Sequence, residues 1–245
     1  QKKSPKEIAK VLGAQIGKDH PVIEKSEVAG PGFLNFFIRR DFLFERLRVA
    51  EKEGEKYGGS DIGKGLNVQV EFVSANPTGP LHIGHGRGAA LGDSLCRILS
   101  KCSYIIEKEY YINDSGNQIE NLGRSVFLRY QEVAGREVEF PDELYRGDYI
   151  LGLAEEIFEK DGDLYLHEEE SKVVKIFGKR ASKAIIDEIK NDLQIFNVEF
   201  DNWFSEQSLF DNNEVTVSLE MLRATKGVYE KDGALWLRSS DFNDE

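Results

Sequence analysis

Val70-Glu71-Phe72-Val73-Ser74-Ala75-Asn76-Pro77-Thr78-Gly79-Pro80-Leu81-His82-Ile83-Gly84-His85 is the stretch that decides the fold. Residues 67–73 form a short β-branched and apolar run suited to a buried parallel strand. Pro77, Thr78, Gly79 and Pro80 stop it. From His85 onward, Ala89, Leu91, Leu95, Ile98 and Leu99 recur at helical spacing, which puts residues 83–86 at a helix N-terminus with its amides expected unpaired. Such an end attracts anions. Gly84 lets a phosphate or a planar group approach the backbone, and His82 and His85 offer hydrogen bonds to oxygens that gain charge during a reaction.

Downstream, residues 103–111 read as a second strand, so strand, helix and strand make a parallel unit. The fold class expected is α/β, the first half of a doubly wound, Rossmann-type parallel sheet. After about Glu120 the alternation stops, and residues 121–133, 149–159 and 168–196 read as helices. A closing hairpin, 228–231 and 234–238, turns at Asp232-Gly233, a type I′ signal. Upstream, Ser4-Pro5 followed by Ile8, Val11, Leu12 and Ile16 reads as a capped helix. Gly30-Pro31-Gly32 joins the strands of a hairpin, a helix follows over 42–56, and Tyr57-Gly58-Gly59-Ser60-Asp61 is linker-like. Three segments are therefore expected: a small α+β domain over 1–62, the first half of the sheet over 63–120, and a mostly helical insertion over 121–245. Phe33, Phe36, Phe37, Phe42 and Phe44 form a stripe able to stack on RNA bases, though most of it is expected to be core.

Of the 245 residues, 40% are hydrophobic and 31% charged, and no apolar run approaches membrane-spanning length. Gln1-Lys2-Lys3-Ser4-Pro5 lacks the apolar core of a signal peptide, so a cytoplasmic protein without a membrane partner is expected. Gln1 is not an initiator, which suggests a fragment. Cys96 and Cys102 lack the paired spacing of a zinc site and read as packing thiols, with no structural metal expected. The net charge of -12 is awkward for an RNA-binding protein, but binding depends on local patches. Lys172, Lys175, Lys179, Arg180 and Lys183 offer one; a solvated face balanced by Glu168 to Glu170 is the plainer reading. His20 and His167, flanked by charged and turn residues, read as structural.

A dinucleotide reading rests on the loose series Gly86, Gly88 and Gly92, with Glu107 or Glu109 about 20 residues on. Placement argues against it. In that fingerprint glycines form the turn, whereas here residues 77–80 do, and Gly88 and Gly92 fall inside the helix to serve helix-to-strand packing.

The long block, Glu71, Ser74 and Asn76 ahead of Pro80-Leu81-His82-Ile83-Gly84-His85-Gly86-Arg87-Gly88, resembles the HIGH motif of class I aminoacyl-tRNA synthetases. With Tyr110-Tyr111-Ile112-Asn113-Asp114-Ser115-Gly116-Asn117-Gln118 it resembles arginyl-tRNA synthetases of the bacterial type. Val28-Ala29-Gly30-Pro31-Gly32-Phe33-Leu34-Asn35-Phe36 and Gly233-Ala234-Leu235-Trp236-Leu237-Arg238 extend the likeness more weakly. The resemblance implies ATP-dependent activation of L-arginine and its transfer to tRNA(Arg), with ATP and Mg2+ and no covalent enzyme nucleophile. It implies that His82 and His85 contact phosphate oxygens, and that His82, Gly84, His85 and Gly88 line the ATP site. Glu71 is the expected guanidinium partner, since a lone acid in an apolar strand is costly unless paired. Ser74, Asn76, Asp114 and Gln118 match positions on the amino-acid side. Val73 stands where the family often has Ser, which is expected to matter little. The KMSKS-type loop, the anticodon-binding domain and the rest of the guanidinium pocket are expected beyond Glu245, and a monomer is expected. The alternatives are a non-catalytic RNA-binding module derived from a synthetase and another nucleotidyltransferase with a His-x-Gly-His site. The second fits less well, because about a quarter of the chain precedes the motif.

Overall fold

The computed structural model describes residues 3–16, 20–225 and 227–242, and the chain divides into two compact units, Gln1–Asp61 and Ile62–Glu245. Gln1 and Glu245, on which the reading of the chain's ends rests, lie outside the described residues.

The first unit runs α1 (Pro5–Gln15), β1 (Ile23–Ala29), β2 (Phe33–Ile38) and α2 (Arg40–Glu53). Ser4 starts α1: its Oγ accepts from the Glu7 amide at 3.3 Å, and Glu7 Oε2 accepts from the Ser4 amide at 2.8 Å. β1 and β2 pair antiparallel. The aromatic stripe departs from expectation. Phe33, Phe36, Phe37 and Phe44 stand exposed, and Ala9 is the one buried side chain among the described residues of this unit. One two-stranded hairpin with two helices offers too little second layer to cover both faces.

The second unit runs β3 (Asn67–Glu71), α3 (Ile83–Lys101), β4 (Ile105–Ile112), α4 (Asn117–Val133), α5 (Asp148–Asp161), α6 (Glu170–Ile195), β5 (Asn202–Ser205), α7 (Glu206–Asp211), α8 (Glu214–Ala224), β6 (Val228–Lys231) and β7 (Ala234–Leu237). β3, β4 and β5 lie side by side in that order as a parallel sheet, the progression of half a doubly wound fold. β5 corrects the reading that alternation ends near Glu120. Its four residues, Asn-Trp-Phe-Ser, are too few for a period-two signal, yet they pair in register with residues 109–112 of β4.

One face of the sheet is core. Tyr110 is fully buried, and Trp203 stacks on it with ring centroids 4.4 Å apart. α3 approaches closely at Gly92, where a Cβ would come within 2.2 Å of Phe72 Cγ; Gly88, by contrast, faces open space. Buried Asp93 ties α3 to β4 by accepting from Lys108 Nζ at 2.6 Å, and it also accepts from Arg97 Nε. The other face is polar: Gln69 Nε2 donates to Glu107 and Glu109, each at 3.0 Å, and Asn202 Nδ2 donates to Glu109 at 2.6 Å.

Helices α4, α5 and α6 form the inserted layer. Phe127, Tyr130, Ile150 and Phe177 meet in its core. Glycine permits the α4–α6 crossing: a Cβ on Gly123 would lie 2.0 Å from the Val174 carbonyl oxygen, and one on Gly178 would lie 2.6 Å from that of Ile119. On α6, Lys172 pairs with Glu168 and Arg180 with Asp161, so part of the expected cationic patch is neutralised locally. β6 and β7 pair antiparallel across Asp232 and Gly233, whose φ values of 54° and 76° are those a type I′ turn needs. Among the described residues no helix is long and apolar enough to cross a membrane.

Candidate active site

The site is built where β3 and β4 end, at the carboxyl edge of the sheet. β3 stops at Glu71 because the chain then enters the left-handed region, with φ of 66° at Val73 and 39° at Ser74. For a β-branched residue this is a strained conformation, of the kind that costs about 1–3 kcal/mol. Val73 therefore holds the turn in a conformation that its residue type disfavours. The sharp turn brings the Ser74 amide to the Phe72 carbonyl at 2.9 Å and lets Ser74 Oγ accept from the Tyr111 amide at 3.1 Å, stitching the ends of the two strands together.

The connection to α3 is then pinned. Ala75 and Pro77 are buried, and the Ala75 carbonyl accepts from the hydroxyl of Tyr110 at 3.0 Å. Burial pushes that phenol up to about 12. The Thr78 carbonyl accepts from Tyr149 Oη at 2.6 Å. Asn76 and Pro80 project to solvent.

α3 opens on the two histidines. His82 is the N-cap, and its Nδ1 accepts from the Gly84 amide at 3.1 Å; His85 Nδ1 in turn accepts from the His82 amide at 3.2 Å. The rings stack with centroids 3.7 Å apart and 17° between planes. With each Nδ1 accepting a backbone N–H, the proton of the neutral imidazole belongs on Nε2, making that atom a donor. Burial, and then the neighbouring His82, hold His85 below the usual imidazole range, which favours this neutral form. A Cβ on Gly84 would come within 2.9 Å of His82 Cε1, so glycine leaves room for the ring to fold back over the helix start. The expectation of unpaired amides is corrected: those of Gly84, His85 and Gly86 all find partners on His82. A histidine cap replaces the bare helix end and leaves Nε2 as the donor atom of each ring.

β4, β5 and α7 supply further polar groups at this edge of the sheet. Asp114 accepts from Ser205 Oγ at 2.6 Å and from the Gln207 amide at 2.9 Å, so both its oxygens serve to close the β5–α7 corner. Glu206 accepts from Tyr111 Oη at 3.0 Å and from Ser115 Oγ at 2.5 Å. Burial, then the bond to Glu206, then the charges of Glu206, Glu71 and Asp114 hold the Tyr111 phenol above its usual range, keeping it a donor. Glu71 is exposed and, among the described residues, has no side-chain partner, so burial cost does not explain it; a free carboxylate beside the acids around Tyr111 does suit a cationic substrate. Gln118 is exposed in the first turn of α4. Its neighbours Asn117 and Glu120, with Asp114, Lys175, Lys179 and Gln207 among others, line a cavity of about 470 Å³; Gln118 itself does not. Tyr149 and Glu206 escape the sequence reading, and Tyr111 is read there only as part of the second block, without a role of its own. The signal for Glu206 is its place directly after Trp203-Phe204-Ser205, which becomes legible only once β5 is recognised as a strand.

Residues 49–245 match the family model of class I tRNA synthetases (R), catalytic domain, and residues 1–38 match that of the arginyl tRNA synthetase N-terminal domain. The chain is 46% identical over 245 residues to an arginine–tRNA ligase of Geobacter sp. (strain M21) and 47% identical over 244 residues to one of Bacillus subtilis (strain 168). In both cases all of this chain is covered, and it spans 44% of the length of the relative. A solved chain from Campylobacter jejuni assigned as an arginyl-tRNA synthetase is 38% identical over 83% of this chain and 44% of its own, with a TM-score of 0.71. The Thermus thermophilus arginyl-tRNA synthetase, at 22% identity and a TM-score of 0.57, shares the fold over 98% of this chain and 40% of its own.

Proposed function

The chain belongs to the class I arginyl-tRNA synthetase family, whose catalytic-domain model it matches over residues 49–245, and from that premise we propose that its site activates L-arginine with ATP and serves transfer of the arginyl group to tRNA(Arg). The arginine carboxylate attacks the α-phosphorus of ATP, giving arginyl-adenylate and pyrophosphate; a ribose hydroxyl of the terminal adenosine of the tRNA then attacks the acyl carbon, the anhydride bond breaks, and AMP leaves. Both steps build charge on oxygen, so alignment and preorganised donors carry the catalysis. Mg2+ enters with ATP as the substrate's own counter-ion. Among the described residues no cluster of His, Cys, Asp or Glu is arranged to hold a metal by itself. A cytoplasmic monomer is the setting this reading implies.

The observation that carries the proposal is the pair of stacked histidines at the start of α3, each with Nδ1 bonded to backbone and Nε2 left as donor. In this reading His82 and His85 donate to the phosphate oxygens, with Gly84 and Gly88 leaving room for the nucleotide. Glu71 takes the guanidinium as a charge-assisted, planar partner. Ser74 and Asn76 hold the amino-acid end. Asp114 acts by fixing the β5–α7 corner, and Gln118 lies within reach of an incoming ligand on α4. The test is ATP–pyrophosphate exchange by the intact protein with tRNA present. Exchange that depends on arginine, and is not supported by citrulline, its neutral isostere, supports the reading. Equal exchange with both amino acids refutes the role of Glu71.

A further inference from the structure

The histidines can donate to a phosphate only where the turn before α3 places them, and that turn is held by a side chain from the inserted helical layer. We propose that Tyr149 is a positioning residue for adenylate formation: through its hydroxyl, α5 fixes the turn at residues 77–80 and thereby sets the location of His82 and His85. The inference rests on the reading of the site as one that activates arginine.

Loop carbonyls need partners, and that of Thr78 finds its partner in Tyr149 Oη at 2.6 Å, across 71 residues of sequence. The contact is shaped as well as bonded. A Cβ on Gly79 would stand 3.2 Å from Tyr149 Oη and 3.4 Å from Cζ, so the glycine lets the ring lie against the turn. The hydroxyl is carried on a rigid element, because Ile150, Ala154 and Ile157 bury α5 in the core of the inserted layer. Upstream, Tyr110 of β4 holds the Ala75 carbonyl at 3.0 Å. The segment between is thus fixed from two independent elements, with Pro77 fully buried. Pro80 restricts the chain between Thr78 and His82, so movement at Thr78 passes on to the N-cap of α3. Displacing a reacting group by about 1 Å can cost about 100-fold in rate.

Tyr149→Phe keeps the ring and removes the bond. The experiment measures ATP–pyrophosphate exchange by the intact protein with arginine and tRNA, alongside melting temperature. Ile157→Val, a core change on the same helix, is the control for loss of stability alone. We expect kcat to fall about tenfold in Tyr149→Phe, with KM for ATP and for arginine each within about threefold of wild type, while Ile157→Val keeps kcat within about twofold. A Tyr149→Phe kcat within twofold of wild type overturns the inference. So does a loss of kcat in both variants that tracks their melting temperatures, which would make Tyr149 merely structural. Absence of arginine-dependent exchange in the wild type removes the underlying reading, and this inference with it.

Discussion

Gly123→Ala tests the packing that carries the inserted layer, and its cost follows from the geometry. The new Cβ would stand 2.0 Å from the Val174 carbonyl oxygen and 2.8 Å from the Gly178 amide nitrogen. Ordinary contacts begin near 3.5 Å, so α4 and α6 must part by about 1 Å or more, and both obstacles are backbone that has no rotamer to change. Overpacking of this kind costs about 3 kcal/mol at the upper end of its usual range. Alanine returns about 1 kcal/mol through its better helix propensity. The net loss is then about 2 kcal/mol, or about 4–8 °C in melting temperature for a unit of this size. Gly152→Ala is the matched control, because it lies exposed inside α5 with nothing within 4 Å of its added Cβ. There the propensity gain stands alone, and stability should rise by about 0.5–1 kcal/mol. Thermal and urea unfolding followed by far-UV circular dichroism reads both. A Gly123→Ala protein as stable as wild type, or two variants shifted in the same direction, would refute the packing argument.

Other outcomes follow from the same structure. Glu71→Gln should weaken arginine binding by about 1.5–3 kcal/mol, the range of a hydrogen bond to a charged group, and leave ATP binding little changed; calorimetric titration of each ligand reads this, and equal losses for both would point to damage to the fold. Burial alone would raise the Asp93 carboxyl, but the bonds from Lys108 and Arg97 overcome it and hold the group below its usual value. Its contribution is therefore present above a pH of about 4 and lost as pH falls through the lower folded value, so Asp93→Asn should cost about 1.5–3 kcal/mol near pH 7 and less near pH 3. Urea titrations at the two pH values that gave the same difference would contradict the ion-pair account. For Tyr110, raised by burial from 10 to about 12, the stabilising term is present below pH 10 and lost as pH rises through about 12. Tyr110→Phe should remove that alkaline loss while costing about 1–3 kcal/mol at neutral pH for the unpaired Ala75 carbonyl; alkaline unfolding curves that superimpose would refute it.

The sequence is legible wherever a local rule is strong. Ser4-Pro5 announces the capped start of α1, Asp232-Gly233 a type I′ turn, and the long amphipathic stretches announce α4, α5 and α6, each found within a few residues of its expected bounds. The prolines and glycine at 77–80 locate the start of α3, because they leave the backbone little else to do. What stays hidden depends on long-range pairing. β5 is four residues long and exists because β4 offers it a parallel edge, so Glu206 beside Tyr111 and Ser115 has no local signature. The left-handed turn at Val73 and Ser74 contradicts the preferences of a β-branched residue and is fixed by what surrounds it, including the Ser74 bond to β4. The histidine cap is likewise a matter of rotamers: the residue types raise the expectation of a phosphate site, but do not reveal that each Nδ1 is spent on the backbone. Tyr149 is the far end of this series, since its bond to Thr78 joins two segments that no sequence pattern connects.

If the Nε2 donors at the start of α3 stabilise the transition state of arginine activation, as proposed, their loss shows in single-turnover formation of arginyl-adenylate by the intact protein with tRNA(Arg). His85→Ala should then form the adenylate more slowly than wild type by about two to three orders of magnitude, as for other lost transition-state donors, with a much smaller change in arginine affinity. A near-normal single-turnover rate in His85→Ala would contradict it.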